Sequence, residues 1–128
     1  MIVGTVLVVD DEAALRQAVA FILTQRGFTV LEAGDGYQAI EQMKRHGDDV
    51  AAVLLDVMMP RLDGVETMKA LREMRPGVRV IATSGVNHDT RVEALRKLGV
   101  QQFLLKPYRN RDLLEALRAC LASENGEK

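Results

Sequence analysis

Short apolar runs alternate with longer segments of helical period along this chain. The runs are Val6-Leu7-Val8-Val9, Phe28-Thr29-Val30-Leu31, Val53-Leu54-Leu55, Val78-Arg79-Val80-Ile81-Ala82 and Phe103-Leu104-Leu105. Closed by polar or turn-forming residues, they predict five buried strands. Between them Leu15/Val19, Ile40/Met43, Val65/Met68/Leu71, Val92/Leu95/Leu98 and Leu113/Leu114/Leu117/Leu121 recur at three- and four-residue spacing. That spacing predicts five helices, each with one apolar face. Gly27, Gly47 and Gly99 fall where three of these patterns stop, as expected of a residue that takes a left-handed C-terminal turn freely. Asn110 and His88-Asp89 are placed to start the last two helices with side-chain acceptors. Strict strand-helix alternation predicts a parallel sheet covered on both faces, since parallel neighbours need long right-handed crossovers. The expected fold is a doubly wound α/β three-layer sandwich, one domain over 1–122 with a flexible tail over 123–128.

Composition narrows the function more than the fold. The chain has 128 residues, 48% hydrophobic and 27% charged, enough for one domain with a real core. A formal net charge of -1 gives no electrostatic reason to expect nucleic acid or anionic lipid as a partner. The single cysteine, Cys120, excludes an internal disulfide and a cysteine-based metal site, so a reducing cytoplasm is expected. No stretch approaches a membrane span, and the segment before the first strand is too short for a signal peptide.

The chemistry gathers at the strand ends. The first strand ends in Asp10-Asp11-Glu12, the third in Asp56, the fourth in Thr83-Ser84-Gly85 and the fifth in Lys106-Pro107. In a parallel sheet these ends share one edge, where open α/β sheets bind ligands. Three close carboxylates repel one another unless a cation neutralises them. All-oxygen ligation without His or Cys suits a hard ion such as Mg2+ or Mn2+, and Mg2+ typically shares its shell with phosphate. A lysine and a serine hydroxyl across the site suit the oxygens of a phosphoryl group. Asp56 stands alone while Asp10 and Asp11 form a pair better used as ligands, so Asp56 is the predicted nucleophile and an aspartyl phosphate the predicted intermediate.

The set Val9-Asp10-Asp11-Glu12, Leu55-Asp56-Val57-Met58-Met59-Pro60, Asp63-Gly64, Thr83-Ser84-Gly85 and Lys106-Pro107-Tyr108 resembles the receiver domain of two-component response regulators, in the same order from about Thr5 to Leu121. The resemblance implies a flavodoxin-like sheet of order 2-1-3-4-5. It further implies that Asp56 accepts phosphate, that Asp11 binds the metal directly and Asp10 through water, and that Met58 contributes its backbone carbonyl. Ser84 matches the switch hydroxyl by its separation from Lys106, although Thr83 stands beside it. Lys106 matches the phosphate-binding lysine, Pro107 follows a cis peptide, and Phe103 matches the aromatic switch residue. The implied partners are a sensor histidine kinase or phosphotransfer domain, and a downstream protein on the face of the fourth helix, fifth strand and fifth helix. Such a domain catalyses its own modification and is not a turnover enzyme. Met58 and Val86, two residues beyond the acceptor and the switch hydroxyl, are apolar, which predicts slow self-dephosphorylation. The wording around Ser84 and Lys106 is similar to receivers of hybrid sensor kinases. Gln101-Gln102 before Phe103 departs from the acidic residues common in winged-helix regulators.

Plainer roles compete for several of these residues. Asp10-Asp11 alone would read as a cap and first-turn acid of a helix starting near Glu12. Asp63 reads as the N-cap of the third helix, Cys120 as packed, and His46, His88 and Arg109-Asn110-Arg111 as solvated. Met58-Met59 could be core filler. The main functional alternative is a protein-interaction module of the same fold that takes no phosphate, which would typically have lost an acid or the lysine. An aspartyl-phosphate hydrolase expects a second acid where Met58 stands, and a flavin site would meet repulsion from Asp10-Asp11-Glu12.

Overall fold

The computed structural model describes residues 4–85 and 90–122. Five parallel strands, β1 (Thr5–Val9), β2 (Thr29–Ala33), β3 (Val50–Asp56), β4 (Val80–Ser84) and β5 (Gln102–Leu105), form one sheet of order β2-β1-β3-β4-β5. Helices α1 (Ala13–Gln25), α2 (Gly36–His46), α3 (Gly64–Met74), α4 (Thr90–Lys97) and α5 (Asn110–Ala122) connect or follow them. The doubly wound sandwich and its strand order are as the sequence and the resemblance imply.

Alternation along the strands divides the core. Val6 and Val8 pack with Leu54 and Ile81 against Val19 and Leu23 of α1 and Leu113 and Leu117 of α5. Leu7 and Val9 pack with Val53 and Leu55 against Met43 of α2, Met68 and Leu71 of α3 and Leu95 of α4. A strand buried on both faces reads as a continuous apolar run, which is why the strands were visible in the sequence. β4 reaches further toward the polar edge than its apolar run predicts: it ends on Ser84, and Val78 and Arg79 precede it. β5 ends on Leu105, as its run does, and begins one residue earlier, on Gln102.

Helix ends follow local chemistry with three departures. Gly27 (φ 94) and Gly99 (φ 99) take the left-handed turn expected of them. Gly47 has φ -53 and instead opens a 3-10 turn over Gly47–Asp49, so no left-handed cap is needed there. Asn110 lies inside α5, and the acceptor at that end is Asp112, whose carboxylate takes the Arg109 N–H at 3.2 Å. Asp10 does not cap α1; Glu12 occupies that position without a side-chain bond. Asp63 does cap α3, in a reciprocal box with Glu66. Cys120 is buried, His46 is exposed, and Met59 is buried while Met58 is 46% exposed. His88-Asp89, Val86 and the expected tail over 123–128 lie outside the described residues.

Candidate functional site

The carboxyl edge of the sheet gathers Asp10, Asp56, Ser84 and Lys106 by backbone pairing. The Asp10 N–H donates to the Ala33 carbonyl at 3.0 Å, extending the β1-β2 ladder by one residue. Asp56 closes β3 opposite Thr83, and the Val57 N–H continues the ladder to the Thr83 carbonyl at 2.9 Å. The Lys106 N–H donates to the Ser84 carbonyl at 2.8 Å, and the Lys106-Pro107 peptide is cis. Each residue thus sits just where a buried strand meets solvent.

The side chains converge. Lys106 Nζ donates to Asp10 Oδ2 at 3.1 Å and to Asp56 Oδ2 at 3.2 Å. Carboxylate oxygens of Asp10, Asp11 and Asp56 lie within 4.8 Å of one another; Asp10 and Asp56 are buried and Asp11 is exposed. The second oxygens of the buried pair point to backbone donors. Asp10 Oδ1 accepts from the Glu12 N–H at 2.9 Å, and Asp56 Oδ1 from the Met58 N–H at 3.1 Å. Three oxygen donors with no nitrogen or sulfur ligand among them fit a hard divalent cation.

Electrostatics mark Asp56 as the strained member. Burial, reinforced by the negative charge of Asp10, pushes its pKa up to about 6, although Lys106 and the Met58 amide pull the other way. Burial works against the Lys106 charge, but Asp56 and Asp10 outweigh it and hold the ammonium above its ordinary value. Burial also raises the neighbouring Tyr108 hydroxyl to about 12, so it stays protonated.

Ser84 and Thr83 are both buried, yet they face opposite ways. In the β4-β5 register Ala82 pairs with Phe103 and Ser84 with Leu105, so Ser84 shares a sheet face with Phe103. Thr83 falls on the other face, with Ile81 and Leu104. Phe103 is half-buried against the α2-α3-α4 core, and the Arg96 guanidinium of α4 lies 4.7 Å from its ring centroid. Sequence reasoning missed Arg96 here, and also Arg91, which reaches Met58 Sδ at 3.2 Å and Asp63 at 3.5 Å. It missed Arg61 as well, whose guanidinium pairs with the buried Asp35. Nothing in a one-dimensional pattern distinguishes these arginines from solvated ones.

The family model of the response regulator receiver domain matches residues 6–118. The chain belongs to that family. This receiver domain is 33% identical over 117 residues to the chemotaxis protein CheY of Bacillus subtilis, covering 91% of this chain and 96% of that one. It is 36% identical over 116 residues to the transcriptional regulatory protein CpxR of Escherichia coli, where the match spans 91% of this chain and 48% of CpxR. It is 35% identical over 122 residues to the sensor kinase CckA of Brucella abortus, covering 95% of this chain and 13% of the kinase. The receiver domain therefore spans half or less of several relatives. Among solved structures it superposes on a CheX-CheY-BeF3-Mg2+ complex of Borrelia burgdorferi with TM-score 0.84 and 28% identity, covering 91% of this chain and 87% of that one. The receiver domain of NtrX from Brucella abortus gives TM-score 0.84 at 29% identity, with 93% and 99% covered. No helix among the described residues is long and apolar enough to cross a membrane.

Proposed function

We propose that this receiver domain is a phosphorylatable switch in which Asp56 takes a phosphoryl group from the phosphohistidine of a sensor kinase or phosphotransfer domain, or from a small phosphodonor. The observation that carries this reading is Lys106 Nζ lying between Asp10 and Asp56 at 3.1 and 3.2 Å, beside a third carboxylate. An Asp56 oxygen attacks phosphorus, the P–N bond to the donor imidazole breaks with its electron pair left on nitrogen, and an acyl phosphate forms. Lys106 and the Ser84 hydroxyl donate to the phosphoryl oxygens. Asp10, Asp11, Asp56 and the Met58 carbonyl would hold Mg2+, or Mn2+ in its place. A bound ion offsets the charge that the carboxylates and phosphate bring together. With its pKa at about 6, Asp56 is mostly ionised at neutral pH and ready to attack. The domain modifies itself and turns over no external substrate.

Output follows from charge. A phosphate on Asp56 draws Ser84 toward it and vacates space on the face that Ser84 shares with Phe103, so the ring turns inward and leaves Arg96. The face of α4, β5 and α5 then changes for a downstream protein. A full reversal of the two states requires the phosphate to favour one by roughly 5 kcal/mol. Met58 and Val86 are apolar and orient no water, so the acyl phosphate is long-lived; a half-life like that of the fastest chemotaxis-type receivers contradicts this. A cytoplasmic site of action, with no direct nucleic-acid contact, is part of the same reading.

Beryllofluoride with Mg2+ tests the switch by NMR. The reading expects shifts at the Ser84, Lys106 and Phe103 amides in the wild type and none in Asp56→Asn. An unchanged wild-type spectrum refutes it in favour of an interaction module that takes no phosphate.

A further inference from the structure

The loop over 57–63 carries Met58 and must hold its backbone carbonyl in place. Its two ends are tied by the Val57 N–H to the Thr83 carbonyl at 2.9 Å and the Gly64 N–H to the Val57 carbonyl at 3.0 Å. Its crown is held differently. Arg61 has φ 67, a left-handed backbone that disfavours every residue with a Cβ, yet no glycine or asparagine stands there. Its guanidinium pairs with Asp35 and lies 5.8 Å from the Tyr37 ring centroid, both at the N-terminus of α2. Asp35 is 6% exposed, and its other oxygen accepts the Gln38 N–H at 2.8 Å as the α2 cap. The carboxylate is therefore fixed from two sides. The next residue of the loop is pressed on the same helix: a Cβ at Gly36 would come within 2.8 Å of Leu62 Cδ2.

We propose that Arg61 is a positioning residue, whose ion pair with Asp35 clamps the crown of the 57–63 loop onto α2 and so sets the Met58 carbonyl at the metal site. The inference rests on the metal-site reading above. The left-handed backbone at Arg61 persists because the ion pair and the ring over-determine it. Mg2+ demands near-ideal octahedral ligation, so a loop free to slide loses affinity even with its three carboxylates intact.

Isothermal titration with Mg2+ alone, joined to the Met58 amide resonance of the metal-free protein, tests the clamp. Arg61→Gly accepts the left-handed backbone without cost but removes the guanidinium, and Asp35→Asn keeps a competent helix cap but removes the charge. Each is expected to weaken Mg2+ binding by about tenfold and to shift the Met58 amide before any metal is added. The double variant is expected to be no weaker than either single one, because both remove the same interaction. Arg61→Lys should recover part of the affinity. Wild-type affinity and an unmoved Met58 amide in both single variants would overturn the clamp while leaving the metal site standing. A wild type that does not bind Mg2+ would overturn the metal-site reading and the clamp with it.

Discussion

At the scale of single residues, the site trades stability for chemistry. Asp56 ordinarily titrates at 3.8 and in the fold at about 6, so the native state holds that proton more tightly than the unfolded chain. The resulting stabilisation is complete below the unfolded value and is lost as pH rises through the folded one. Metal-free Asp56→Asn should therefore be more stable than wild type near pH 8, by about 3 kcal/mol, and the gap should close as pH falls through about 6 toward about 4. Urea denaturation of the two proteins across that range checks it; a gap independent of pH would contradict the assignment. Replacing Lys106 has the opposite effect on stability at neutral pH. Lys106→Met leaves two buried carboxylates facing each other without their shared cation, and is expected to cost roughly 3 kcal/mol at neutral pH. A saturating concentration of Mg2+ should restore much of that loss in the same titration, because the ion would neutralise the same oxygens.

At the scale of elements, the sheet edge delivers the groups and the β3-α3 connection holds them. Gly64 opens α3 so close to Val57 that an added Cβ would lie 2.7 Å from the Val57 Cα and 2.9 Å from its carbonyl oxygen. Backbone cannot swing aside as a side chain can. Gly64→Ala is thus expected to cost about 1–3 kcal/mol and to weaken Mg2+ binding, because relief of the clash moves the Met58 segment. Asp63→Ala acts on the same junction by a different route. It removes the reciprocal cap with Glu66 and the contact with Arg91, and should cost about 1 kcal/mol by thermal melting. Both effects are local to the junction, and the melting of a variant in α5, such as Glu115→Ala, should differ from wild type far less.

At the scale of the whole molecule, the fold was legible because parallel strands buried on both faces read as unbroken apolar runs, as Val53-Leu54-Leu55 does. The acids and the lysine were legible because each ends such a run. The arginines were not. Arg61, Arg91 and Arg96 lie in a loop and on a helix surface, where composition looks like ordinary solvation, and their roles depend on Asp35, Met58 and Phe103 being near in space. Gly47 misled for a related reason: a glycine after a helix usually marks a left-handed end, but here the chain turns on in 3-10 geometry before entering β3. The domain as a unit should answer to its ion. Mg2+ at about one hundred times its dissociation constant should raise unfolding free energy by about 2.7 kcal/mol, read by circular dichroism since the chain has no tryptophan. The most direct test of the central claim is incubation with acetyl phosphate and Mg2+ followed by intact-mass measurement. The account predicts one added phosphoryl group on the wild type, dependent on Mg2+ and missing from Asp56→Asn. An unmodified wild type, or an equal adduct on Asp56→Asn, would contradict it.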